Sequence, residues 1–325
     1  MPKRDVIGLG NALLDFTYEV DYELLDSLGL KKGEMHLVDA DKSHEIMINM
    51  GGYSCSITPG GSTANTMAGV SALGGNAVFL GKIGDDPQGD IYEDKTRMHG
   101  SSLALPRHSS VITGHAITFI TPDGERTFAT HLGASTRLKK EDIKEEEIKD
   151  SKVLYVQGYQ LEEPELKETV VHAMELAKQH GLKIAADFSD PALITRNLSS
   201  FKQILQDYID VVFLNETEAV AFTGKEEEEA LKELGSMCEV AVVKLGERGS
   251  LIKAGGNVYK VPVHKTTVAN TNGAGDMYAA GIVYALTNGI GLEAGGKIAS
   301  YAAAQVVSSE GARVEKSLAE EIKEL

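Results

Sequence analysis

Cysteine, basic charge and long apolar runs are all scarce in this 325-residue chain, and each scarcity closes off a class of protein. Its two cysteines, Cys55 and Cys238, have no paired spacing, so neither a disulfide framework nor a zinc site is readable. Lysine and arginine number 32 against 48 aspartates and glutamates, a formal charge of −16. Nonspecific binding to nucleic acid or to an anionic membrane needs the opposite balance, so neither is expected as a partner, and any anionic ligand must be held locally. The apolar run at residues 6–9 is too short for a signal peptide and no long apolar segment follows, which predicts a cytoplasmic protein. Internal repeats and low-complexity tails are absent, and the acidic runs at 145–147 and 226–229 read as solvated faces.

What is present is 42% hydrophobic residues, enough for a substantial core. Short apolar runs at 6–9, 78–80, 153–156, 184–186, 211–214 and 240–245 suit strands buried on both faces. Helix-like stretches at 65–73, 164–180, 199–208 and 217–234 lie between several of them. The alternation has no linker, so it predicts one α/β domain over 1–325, a mostly parallel sheet flanked by helices. Ligands in such sheets bind at the carboxyl ends of the strands, where Asn11, Asn215 and Gly246 fall. Residues 111–120 and 125–132 are β-rich and flank Thr121-Pro122-Asp123-Gly124, a strong turn signal, so they read as a hairpin.

The chemistry concentrates in Asn270-Thr271-Asn272-Gly273-Ala274-Gly275-Asp276, which runs directly into a helix-like segment at 277–286. Gly273, Ala274 and Gly275 carry almost no side chain, so successive backbone N–H groups can approach a charged oxygen. A helix beginning there adds unpaired donors and partial positive charge, where a transferring phosphate is best stabilised. Asp276 at the mouth of that pocket can take a proton from an attacking hydroxyl. Standing alone, such a segment could equally be a helix cap.

It does not stand alone. The segment 270–276, with Ala280 and Gly281 behind it, resembles the C-terminal signature of the PfkB or ribokinase-like carbohydrate kinases. Gly10-Asn11-Ala12-Leu13-Leu14-Asp15 and Gly60-Gly61-Ser62-Thr63-Ala64-Asn65 resemble the substrate segments of that family's adenosine kinase branch. Asn215-Glu216-Thr217-Glu218 is similar to its Asn-x-x-Glu motif, and Lys244-Leu245-Gly246-Glu247-Arg248-Gly249 to its nucleotide-binding turn. The motifs occur in family order across most of the chain.

The resemblance implies a ribokinase-like fold with a small β-sheet lid, its strands inserted at about 12–20, 33–39 and 111–133. It implies that Asn11, Asp15, Gly61 and Asn65 hold the acceptor sugar, with Asp15 on ribose hydroxyls. Asn215, Lys244, Gly246, Gly249 and Ser300 would contact ATP, Ser300 beside the adenine. Glu218 would reach Mg2+ through water, and Lys82 would lie near the substrate. Relatives commonly have Asp where this chain has Asn270, and that Asp helps hold K+. An amide offers a dipole in place of a charge, so potassium activation is not expected unless Glu315 restores the lost charge. Lid strands could also pair two copies of the chain into a homodimer.

The activity so implied is in-line transfer of the ATP γ-phosphoryl group to the 5′-hydroxyl of a ribonucleoside such as adenosine, with Asp276 as base. Met35, Leu37 and Phe119 could form a slot for the nucleobase or belong to the lid core. Two alternatives stay open: a kinase for ribose, fructose or a related ketose, and a catalytically silent nucleotide-binding protein. A sugar phosphate fits less well, since Arg126 and Arg137 are the only basic lid candidates.

Overall fold

All six apolar runs become strands of one nine-stranded sheet in the computed structural model, which describes residues 3–325. In order across the sheet these strands are Asn257–Val261, Ser250–Ala254, Val240–Lys244, Val211–Asn215, Lys183–Asp187, Ser151–Gln157, Arg4–Leu9, Ala77–Leu80 and Ser102–Ala104. Pairing is parallel from Val240–Lys244 through to Ser102–Ala104; at the other edge Ser250–Ala254 is reversed and pairs antiparallel with both of its neighbours.

The central strands are apolar throughout because both of their faces are covered. On one face Val6, Val153, Tyr155, Phe213 and Val242 pack under helices Ser62–Ala72, Ala274–Thr287 and Leu292–Val307. On the other, Ile7, Leu154, Val156, Val212 and Val243 meet helices Pro164–Gln179, Pro191–Tyr208 and Glu216–Thr223. The helical stretch expected over 217–234 is two helices, because Gly224 takes the left-handed conformation (φ 70°) and ends the first; Glu227–Leu234 follows. Helices at Tyr22–Leu28 and Ala40–Asn49 were not anticipated. The acidic runs 145–147 and 226–229 lie at helix starts, where negative charge favours the dipole.

A separate five-stranded sheet springs from the carboxyl end of Arg4–Leu9. Its order is Met35–Leu37, Arg126–His131, Gly114–Ile120, Leu13–Glu19, Ser56–Gly60. Gly114–Ile120 and Arg126–His131 form the hairpin, turning through Gly124 at φ 82°. Phe119 is fully buried inside this sheet, stacked on Tyr18 with ring centroids 6.5 Å apart, so it belongs to the interior and lines no slot; Met35 and Leu37 stay exposed.

Parallel register brings the chemistry together. Asp187 aligns with Gln157 and Phe213, and Asn215 aligns with Lys244, so three neighbouring strands end in Asp187, Asn215 and Lys244 on one edge. Helices Ser62–Ala72 and Ala274–Thr287 are in close contact above that edge, since a side chain on Gly69 would collide with Met277 and Ala280.

Candidate active site

Asp276 lies in the first turn of Ala274–Thr287. Gly273 precedes the helix at φ 78°, with no side chain capping the helix start, and a Cβ there would overlap the carbonyl of Ala312. Any other residue would be strained and would push the 311–315 loop away. This helix start, where the Ala274 N–H donates to the Thr271 carbonyl at 3.3 Å, opens on a cavity of ≈ 620 Å³ that Ala274, Gly275, Lys244, Gly246, Gly249 and Ser300 help to line. Ser300 accepts from the His264 N–H (2.7 Å) and donates to the Pro262 carbonyl (2.9 Å), so it shapes the cavity wall by tying down the 262–264 segment.

Lys244 points toward the anion pocket: a Cβ built on Gly275 would stand 3.2 Å from its Nζ. The same Nζ donates to Asp187 at 2.7 Å. Burial alone would pull its pKa down, but the charges of Asp187 and Glu218 outweigh that and hold the ammonium above its ordinary range. Glu218 is pushed up by burial and by Asp187, with Lys244 opposing. Asn215 and Glu218 form a reciprocal cap: the Asn215 N–H and Nδ2 donate to the carboxylate at 2.7 and 2.6 Å, and Asn215 Oδ1 accepts from the Glu218 N–H at 2.9 Å. Neither residue lines the cavity wall.

The four residues expected around the acceptor come together at the 60–65 segment, which reaches Asp276 through Ser62 and Asn65. Asp15 sits in Leu13–Glu19, its carboxylate against Gly60. Gly61, at φ 92°, leaves no room for a Cβ over the Asn11 carbonyl. Asn11 Oδ1 is buried without a donor, an acceptor that a substrate hydroxyl would satisfy. Asn65 Nδ2 donates to Asp276 Oδ2 at 3.0 Å, and Ser62 Oγ donates to Oδ1. Burial raises the Asp276 pKa, while the hydrogen bonds from Ser62 and Asn65 and the charge of Lys244 restrain the rise. Burial likewise carries Asp15 up to about 7 against the pull of Arg313.

Arg313, Asp187 and Ser62 were not singled out from the sequence. Arg313 is 6% exposed; its Nε donates to Asn65 Oδ1 at 2.8 Å and its Nη2 to the Gly60 carbonyl at 3.1 Å. Lys82 is buried and paired with Asp142 at 2.5 Å. Asn270 uses both ends of its amide, donating to the Glu310 carbonyl (2.7 Å) and accepting from the Asn272 N–H (3.0 Å). A carboxylate could not make the first of these bonds. Glu315 is exposed on the loop that follows.

A large, mainly parallel sheet flanked by helices, with a small separate sheet, is the architecture of ribokinase-like kinases. The 23–318 segment matches the pfkB family carbohydrate kinase domain, and the chain belongs to that family. The probable sugar kinase of Rhizobium etli CFN 42 superposes with a TM-score of 0.91 at 33% identity, covering 100% of this chain and 99% of its own. Adenosine kinase from Sinorhizobium meliloti gives 0.89 at 35% identity, covering 99% of each chain. The 5-dehydro-2-deoxygluconokinase of Halalkalibacterium halodurans is 31% identical over 280 residues, 82% of this chain and 84% of the relative. The chain is thus a sugar or nucleoside kinase, a phosphotransferase acting on an alcohol group. Among the described residues no helix is long and apolar enough to cross a membrane.

Proposed function

We propose that the chain transfers the γ-phosphoryl group of ATP to the 5′-hydroxyl of a ribonucleoside such as adenosine. The observation that carries this reading is Asp276 in the first turn of the helix whose start lines the cavity, its carboxylate hydrogen-bonded by Ser62 and Asn65. ATP would lie in the cavity with its phosphates toward the N–H groups of 273–275 and Lys244, Ser300 toward the base. Asp15 and Asn11 would hold ribose hydroxyls, and Asp276 would accept the proton as the acceptor oxygen attacks. A carboxylate whose pKa is raised toward neutrality is the better base at working pH.

Charge on the acceptor side favours a neutral substrate. Asp15 and Asp276 face it, while two nitrogens of Arg313 are already bonded to Asn65 and Gly60. A sugar acid or sugar phosphate would meet two carboxylates with little compensating charge. The full-length likeness to a solved adenosine kinase supports the nucleoside; the likeness to a probable sugar kinase supports a neutral sugar as the second reading.

Kinases of this family use ATP and Mg2+. Asp187 and Glu218 share one nearby ammonium, Lys244, and this surplus of negative charge suits a magnesium ion held through its waters. No group of three or more potential metal-ligating His, Cys, Asp or Glu residues stands preformed among the described residues. When bound, the ion would neutralise phosphate charge. The engaged amide of Asn270 supports activity without potassium.

The test is ADP release with ATP and magnesium against nucleosides, free ketoses, ribose and 5-dehydro-2-deoxygluconate, each with and without potassium. Turnover on nucleosides alone, indifferent to potassium, is expected. Turnover confined to a sugar or sugar acid would overturn the nucleoside assignment, and strict potassium dependence would overturn the reading of Asn270.

A further inference from the structure

An asparagine amide is nearly symmetrical in shape, and only its neighbours decide which end is oxygen and which is nitrogen. For Asn65 the decision matters, because one end meets the Asp276 carboxylate at 3.0 Å. Presented as nitrogen, that end donates and stabilises; presented as oxygen, it would repel. The other end meets Arg313 Nε at 2.8 Å, and a guanidinium offers only donors. Arg313 therefore accepts one orientation of Asn65 alone, the one that donates to Asp276.

Arg313 is itself firmly held. It is buried, its Nη2 is bonded to the Gly60 carbonyl, and that carbonyl also accepts from Tyr92 Oη at 3.2 Å. Nη1 has no partner among the described residues and is closed off from solvent. The loop that carries it lies directly on the anion pocket, with Ala312 against Gly273 and Glu310 bonded to Asn270. Burying a guanidinium with a nitrogen unpaired is costly, and packing alone would be served as well by an apolar side chain.

We propose that Arg313 is a positioning residue for phosphoryl transfer: it fixes the Asn65 amide so that Asn65 donates to Asp276 and keeps that carboxylate turned toward the acceptor. The proposal rests on Asp276 being the base. The titratable and charged groups that face Asp276 are Asp187 and Lys244 at the sheet edge, Tyr155 on the central strand, and Arg313 beyond Asn65. Loss of Arg313 removes a positive charge and frees the amide to turn, and both effects favour the protonated form of Asp276.

The experiment compares kcat against pH for wild type, Arg313→Met, Asn65→Ala and the double variant, with thermal melting to establish folding. Arg313→Met should lower kcat about 10- to 100-fold and move its acid limb up by about one pH unit, with nucleotide KM changed less than about twofold. Asn65→Ala should shift the limb the same way, and the double variant should be no slower than the slower single one. An unmoved acid limb in folded Arg313→Met, or losses that simply add, would overturn the proposal. Should Arg313→Met not fold, an unmoved limb in Asn65→Ala does so. Asp276→Asn separates the two readings: near-normal turnover there removes the base itself, whereas its loss together with an unmoved limb in Arg313→Met removes only the positioning role.

Discussion

Where the cavity meets the start of helix Ala274–Thr287 it is lined by Gly246, Gly249, Ala274 and Gly275, with Lys244 beside them; the Asp276 carboxylate is held by the polar side chains of Ser62 and Asn65, with Asn11 and Asp15 around the same 60–65 segment and a buried arginine behind it. The first surface presents peptide N–H groups, which every residue carries and no substitution short of proline removes. The second depends on individual side chains, each replaceable. Phosphate is common to every reaction of a kinase family, while the acceptor differs between members. In the proposed function, constant recognition falls to the main chain and variable recognition to side chains.

The sharpest way to break this division is at its hinge. Asp276→Asn should cost about 10²- to 10⁴-fold in turnover while calorimetry shows nucleotide binding unchanged, since the base is lost and the N–H groups are not. On the acceptor side, Asp15→Asn should reduce acceptor kcat/KM about 10- to 100-fold and leave nucleotide KM nearly untouched. On the nucleotide side, Lys244 beside Gly275 provides the mirror test. Lys244→Met should raise nucleotide KM about tenfold with acceptor KM unchanged, and should lower the melting temperature because Asp187 loses its ion-pair partner. A Lys244 variant that weakens the acceptor instead would erase the division.

The smallest effect concerns pH. Burial makes Asp15 hold its proton up to about 7 in the folded chain, against an ordinary value of 3.8. Its folded pKa is raised, so the folded state binds more protons between those values and Asp15's contribution to stability declines as pH rises through that window. Asp15→Asn should therefore flatten part of the fall in melting temperature between pH 4 and 7. In the wild type, acceptor kcat/KM should rise through about pH 7 as the carboxylate becomes able to accept hydroxyl protons, and that limb should be missing from the variant.

The strands were legible because central parallel strands must be apolar on both faces, which leaves short unbroken runs such as 211–214 and 240–245. The start of helix Ala274–Thr287 was legible from three small residues and an acid. Helices Tyr22–Leu28 and Ala40–Asn49 were not, since both are short and polar, with only two buried residues each. The Asn215–Glu218 motif has a dual character that sequence cannot separate: the side chains that cap the helix are also those implied to face the metal. Arg313 was invisible for a plainer reason. Its partners are an amide 248 residues earlier and a carbonyl 253 residues earlier, and no local pattern marks an arginine that acts at such a distance.

That distance has a consequence during synthesis. Ser62 and Asn65 emerge early, Asp276 more than two hundred residues later, and the 311–315 loop later still. Because contacts so remote in sequence close late, an unfinished chain can fold much of its sheet while its base remains unaimed. In the proposed mechanism, the acceptor pocket and its base are completed only when the last loop of the chain has docked.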